Sequence, residues 1–272
     1  MEISVIIPTY KPKDYLWRCL DSLVNQSLDK QLFEIIIVLN GETGGYKDAI
    51  EQYISSVKDC QIRLMTTETA GVSNARNIGI DNALGRYLVF IDDDDWISGQ
   101  YLENLLQRAD SGCIVVSNIL HIDDQTNEQL PHYMSKAFEK AMQKKPHSQF
   151  QYRSFLSSSC EKLIPKDVIG SERFNTKYEL GEDALFMFAI SKRISGIRFS
   201  DVHDIYYVRA RHESVSRVSK TIRTRCRNLL KLVCSYFSIW IKDITRYNIL
   251  LFLSRIAACL RKIFIQEKRQ KF

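Results

Sequence analysis

The residues most able to do chemistry lie in "LVFIDDDDWI", residues 88–97. Four apolar residues run into four consecutive carboxylates, Asp92 to Asp95. Adjacent ionised groups repel, and each is costly to desolvate at the edge of a core. A divalent cation would relieve both costs. Hard oxygen donors suit Mg²⁺ or Mn²⁺, and Mg²⁺ takes one or two protein carboxylates and fills its shell with phosphate and water. The competing reading is a solvated acidic turn in which Asp95 caps the next helix. A second acidic pair, Glu182 and Asp183, opens the apolar run of "GEDALFMF". One of them could serve as a general base, or both could simply favour a helix N-terminus. Arg76, in "GVSNARNIGI", could meet phosphate.

These groups need elements that bring them together. "ISVIIP" (3–8), "FEIIIVLNG" (33–41), "IRLMTT" (62–67) and "RYLVFI" (86–91) read as strands, with a fifth over 113–119. Helical periods fill 14–27, 46–57 and 71–84. Alternation of this kind predicts an α/β fold with a mainly parallel, Rossmann-like sheet and helices on both faces. Ligands of such sheets bind beyond the carboxyl ends of the strands. "PTYK", "LNGETGG" and the aspartates all fall there. Residues 120–150 are polar and weakly patterned and read as an irregular excursion.

In their order and spacing, "SVIIPTYK", "EIIIVLNGETG", "GVSNARNIGIDNALGRYLVFIDDDDWI" and "GEDALF" resemble the family 2 glycosyltransferases of GT-A fold. The resemblance covers residues 3–216. It implies a catalytic domain over 1–216, a nucleotide-sugar donor, and inverting transfer to a hydroxyl of a glycan or lipid-linked acceptor in surface polysaccharide synthesis. By position it implies Pro8 and Tyr10 lining the nucleoside pocket and Arg76 facing the base or diphosphate. Asp92, Asp94 and Asp95 match D-x-D-D: Asp94 near ribose and metal, Asp95 in direct contact with Mn²⁺ or Mg²⁺, and Asp93 incidental. Asp183 matches the general base, with Glu182 as its partner, and His212 stands where it could approach the diphosphate or metal. Leu39 and Asn40 replace two aspartates common in the family, of which the second accepts a hydrogen bond from uracil. Asn40 can still accept through its carbonyl oxygen, so a UDP-sugar stays favoured. The alternative is a non-catalytic sugar-nucleotide-binding scaffold of the same fold, for which Asn40 is the only support. A haloacid-dehalogenase phosphohydrolase would carry its D-x-D on the first strand rather than the fourth.

Residues 217–272 differ in character. From 221 onward there are 12 Lys/Arg against 2 Asp/Glu, with aromatics and Leu/Ile between them. The whole chain carries +6. A basic amphipathic helical tail suits peripheral contact with an anionic membrane surface. The competing possibility is a helix pair packed on protein. The tail is too apolar for a nucleic-acid arm, so nucleic acid is not an expected partner. Seven scattered cysteines without C-x-x-C, and the absence of a basic n-region at Met1, point to a cytoplasmic protein at the inner face of the cell membrane.

Overall fold

The protein is described from a computed structural model, which covers residues 1–143, 148–210 and 222–269. Its first strand, β1 (Ile3–Thr9), is buried at every position. A continuous apolar run without alternation is what a strand covered on both faces requires. After it come α1 (Tyr15–Val24), β2 (Phe33–Asn40), α2 (Tyr46–Ser56), β3 (Gln61–Thr67), α3 (Val72–Asn82) and β4 (Tyr87–Phe90). β1 pairs in parallel with both β2 and β4, and β2 with β3. The ends of β1 and β4 therefore open on the same edge. Gly79 lets α3 lie close on β1, since a Cβ there would stand 2.4 Å from Ile6 Cγ2.

β5 (Trp96–Ile97) and α4 (Tyr101–Gln107) follow the aspartates. The fifth strand expected over 113–119 is two strands, β6 (Cys113–Val116) and β7 (Asn118–Asp123), in different sheets. The break follows buried Ser117, whose amide still continues the pairing with the later strand Lys162–Pro165 through the Glu161 carbonyl at 3.0 Å, whereas the Asn118 amide turns to the Asp204 carbonyl, just before the strand Ile205–Ala210, at 3.1 Å. The expected irregular excursion is also corrected. β7 continues into it, and β8 (Gln129–Leu130) and α5 (Tyr133–Gln143) follow. α5 buries only Met134 and Phe138, so most of its surface is polar and its period is faint in the sequence.

β9 (Lys162–Pro165) and α6 (Lys166–Ile169) lead to α7 (Glu182–Ile190), β10 (Gly196–Phe199) and β11 (Ile205–Ala210). The main sheet runs β10-β6-β9-β4-β1-β2-β3, with β9 the antiparallel member. A second sheet runs β5-β11-β7-β8 beside the aspartates.

Two long helices, α8 (Ile222–Ile241) and α9 (Ile249–Arg269), form the tail. Tyr236, Tyr247 and Phe252 gather around Phe188 of α7, with Tyr247 stacked on it at 4.9 Å. The Tyr247 hydroxyl donates to the Ala189 carbonyl at 3.1 Å. Buried Arg255 reaches Ser157 Oγ and the Arg153 carbonyl, each at 2.9 Å. The tail thus shares the core of the body. The boundary drawn at 216/217 lies outside the described residues. Among the described residues no helix is long and apolar enough to cross a membrane.

Candidate active site

The aspartates are held apart by a different partner for nearly every one. β1 and β4 end side by side, so Thr9 Oγ1 donates to Asp93 Oδ2 at 2.5 Å. α3 brings Arg76 beneath the same edge, and its Nη2 donates to Asp92 Oδ1 at 2.8 Å. Asp95 turns the other way, towards the second sheet. There its Oδ2 accepts from the Tyr206 hydroxyl at 2.8 Å and its Oδ1 from the Arg209 amide at 2.9 Å. Asp94, between them, is partly exposed. The acidic run is therefore stabilised largely by the chain itself.

Asp95 does not sit as a direct metal ligand would. It is 6% exposed, and both carboxylate oxygens already accept hydrogen bonds that tie the entry of β5 to β11. Burial, then the charges of Asp94 and Asp92, push its carboxyl well above the ordinary range, against those two bonds. Its position is that of a structural pin. Among the described residues no group of three or more His, Cys, Asp or Glu clusters as a metal cage.

α7 brings in the second acidic pair. Leu185 to Ile190 are all buried, so the helix is embedded and only its N-terminus reaches the edge. Gly181 starts it at φ +87, a left-handed conformation that glycine adopts without strain. Asp183 Oδ1 accepts from Arg76 Nη1 at 2.7 Å and from Ser159 Oγ at 2.8 Å. Both bonds converge on one oxygen, and Oδ2 takes none among the described residues. Glu182 lies 3.9 Å from Arg76 Nη1. Burial, and then the charge of Asp183, push the Glu182 carboxyl up to about 7.

Arg76 is the centre of this group. It is 2% exposed, forked between Asp92 and Asp183, and lies 5.3 Å from the centre of the Phe174 ring. Burial opposes its charge, but Asp183 and Asp92 more than offset that and hold its pKa well above the ordinary value. The expected contact with base or diphosphate does not fit this placement, because the side chain is buried and both Nη atoms bond the protein's own carboxylates, while Nε has no partner among the described residues. Asn40 is corrected for a similar reason. It is 2% exposed, its Nδ2 donates to the Thr9 carbonyl at 2.7 Å, and its Oδ1 accepts from the Gly71 amide at 2.8 Å. It braces the ends of β1 and β2 against the start of α3 and does not point at a base.

Pro8 is buried within β1 opposite Val38. Tyr10 is 51% exposed at the rim, its ring close over Gly41, where a Cβ would meet Tyr10 Cε2 at 2.7 Å. His212 lies outside the described residues. The sequence reading missed Thr9, Ser159, Phe174 and Arg209. Ser159, in "SSSC", carries no pattern that marks it, and Arg209 acts through its backbone amide, which every residue but proline has.

Comparison with known proteins places this geometry. Residues 4–167 match Glycosyl transferase family 2. Glycosyltransferase GlyA of Streptococcus pneumoniae is 30% identical over 232 residues, 80% of this chain and 32% of that protein. The poly(ribitol-phosphate) beta-glucosyltransferase of Bacillus spizizenii is 37% identical over 102 residues, 38% of this chain and 16% of its own length. The chain thus spans a third or less of the length of these two curated relatives. The crystal structure of Staphylococcus aureus TarS residues 1–349 with UDP-GlcNAc superposes with a TM-score of 0.67 at 20% identity, over 87% of this chain and 67% of that one. The mixed sheet and its helices are thus those of a GT-A fold, and the chain belongs to glycosyltransferase family 2.

Proposed function

We propose that the chain transfers a sugar, with inversion, from a nucleotide-sugar donor to a hydroxyl of a glycan or lipid-linked acceptor in surface polysaccharide synthesis. The observation that carries this is the setting of Asp183. Arg76 and Ser159 fix one oxygen of its carboxylate and, among the described residues, leave the other for a proton. Asp183 takes the proton of the acceptor hydroxyl through Oδ2, and the oxygen attacks the anomeric carbon from the face opposite the nucleotide. One base suffices for a single inverting displacement. Arg76 keeps Asp183 oriented, and Glu182, neutral below about pH 7, adds no second charge beside it.

Metal dependence belongs to the same proposal. The donor set fits Mg²⁺ or Mn²⁺: partly exposed Asp92 and Asp94 are hard oxygen ligands, and too few for a protein cage. Asp94 would hold the ion together with the donor diphosphate, and the ion would neutralise charge on the leaving group. UDP is the favoured nucleotide. Support comes from the neighbouring fold that was crystallised with UDP-GlcNAc.

A second observation favours contact with an anionic membrane. α8, α9 and their connection expose Phe237, Ile241, Ile244, Leu250 and Leu253, with Lys242 and Arg246 nearby. Apolar residues rimmed by cations suit a peripheral, interfacial position, here the inner face of the cell membrane.

The test is a donor screen with UDP-, dTDP- and GDP-sugars, with and without Mn²⁺, read as nucleoside diphosphate release and as thermal stabilisation. Release from a UDP-sugar that needs Mn²⁺ is expected. Failure of every nucleotide sugar either to bind or to turn over would overturn the reading and favour the scaffold alternative.

A further inference from the structure

Ser159, which holds Asp183, sits in a short turn at residues 157–161. Local bonds stiffen that turn. The Ser158 hydroxyl donates to Glu161 Oε2 at 2.9 Å and accepts from the Cys160 amide at 3.1 Å. Glu161 closes it at φ +54, a left-handed conformation that a residue with a side chain adopts at a cost. At the far end the Glu161 carbonyl accepts from the amide and the hydroxyl of Ser117, at 3.0 and 3.2 Å. At the near end Ser157 Oγ accepts from Arg255 Nη1 at 2.9 Å, and the Arg153 carbonyl accepts from Arg255 Nη2 at 2.9 Å. The turn is thus clamped from both ends, once by the sheet and once by the tail.

Arg255 belongs to α9, beyond the residues 4–167 that match the family. Its placement is costly. The side chain is 7% exposed, and among the described residues its Nε has no hydrogen-bond partner and no carboxylate pairs with it. Burial lowers its pKa, and the titratable groups around it are Tyr236, Cys259, Arg153 and Tyr133. Packing alone would be served better by an apolar side chain of similar size, because a buried charge without a counter-charge is expensive. Both of its bonds go to the one segment that leads to Ser159.

We infer that Arg255 is a positioning residue for transfer: it seats the near end of the 157–161 turn so that Ser159 meets Asp183 Oδ1. The helix pair of the tail is then part of the catalytic unit. The inference rests on the reading of Asp183 as the base, and adds the source of its alignment.

The experiment places Arg255→Met in the full chain, alone and together with Ser159→Ala. Methionine keeps much of the volume and removes the charge, so the melting temperature should hold or rise. Transfer kcat should fall by about ten- to a hundredfold with the donor KM unchanged, as misplacement of a catalytic group costs. In the Ser159→Ala background the same substitution should cost little more, because both act through one contact. Ser157→Ala removes the Nη1 acceptor and leaves α9 intact. It should lower kcat in the same way, and it decides the matter if the methionine variant folds poorly. Unchanged kcat, or losses that simply multiply in the double variant, overturns the inference. Hydrogen exchange separates this from failure of the parent reading. Amides of residues 157–161 should exchange faster in Arg255→Met, with those of β1 unchanged. Faster exchange supports the clamp even if no nucleotide sugar is turned over. Unchanged exchange overturns it even if transfer is observed.

Discussion

Arg76 and Asp183 are 107 residues apart in the chain and 2.7 Å apart in the fold. The same guanidinium reaches Asp92 at 2.8 Å, so one buried side chain links the aspartate edge of the sheet to the N-terminus of α7. The two acidic motifs of the sequence are one site because of it.

Asp183→Asn should lower transfer by roughly 10²–10⁴-fold, the usual contribution of a general base. The donor KM should change little, since the carboxylate acts on the acceptor. Steady-state transfer assays at saturating donor check this. Near-normal kcat would remove Asp183 from the role of base.

Arg76→Ala leaves Asp92, Asp183 and Glu182 clustered without their cation. Breaking a buried pair this way costs about 3–5 kcal/mol, so a large fall in the denaturant midpoint is expected. Arg76→Lys should recover part of the stability and little of the activity, because an ammonium cannot fork between two carboxylates. Equal activity of Lys and Arg at this position would show that only charge matters.

Asp94 and Asp95 should separate cleanly. Asp95→Ala leaves the Tyr206 hydroxyl and the Arg209 amide without their acceptor, at a cost of about 1–3 kcal/mol each. Asp94→Ala should raise the Mn²⁺ concentration needed for half-maximal activity. The check is an unfolding curve and a metal titration on both proteins. The reverse pattern would return Asp95 to the metal.

Glu182 gives a pH signature. Its folded pKa of about 7 lies above the ordinary carboxylate value, so the folded chain binds the extra proton. Its contribution to stability is fully present below about pH 4.5 and is lost as pH rises to about 7. The difference in unfolding free energy between wild type and Glu182→Gln should therefore slope across that window and be flat above it. The companions facing Glu182 are Arg76, Asp183 and Asp92. No slope would mean that Glu182 is ionised at an ordinary pH.

Removing the chain from residue 222 onward uncovers Phe188 and takes away the partners of Ser157 and Arg153. The truncated protein should aggregate or melt far lower, so its liposome binding would be hard to interpret. Ile241→Ser with Ile244→Ser changes exposed positions only. That pair should keep the melting temperature and lose binding to anionic vesicles. Full vesicle binding by the double variant would argue against the interfacial surface.

Much of this protein was legible in its sequence. Continuous β-branched runs between amphipathic helices determined the parallel strands, because a strand buried on both faces needs apolar side chains at every position. The order of the motifs identified the family, and their place at strand ends pointed to the candidate site. Other features were decided only by tertiary structure. Residues 113–119 read as one strand, and only the sheet neighbours of Ser117 and Asn118 divide them. Four adjacent aspartates look alike in sequence, yet Thr9, Arg76, Tyr206 and the Arg209 amide give three of them different partners. Asn40 and Arg76 looked ligand-facing, but burial turned both inward. The tail's apolar residues could have faced lipid or protein, and contact with Phe188 settled which of them belong to the core. The physical reason is common to all of these. Periodicity reports which face of an element is apolar, whereas the partner of a polar group is set by side chains that arrive from distant parts of the chain.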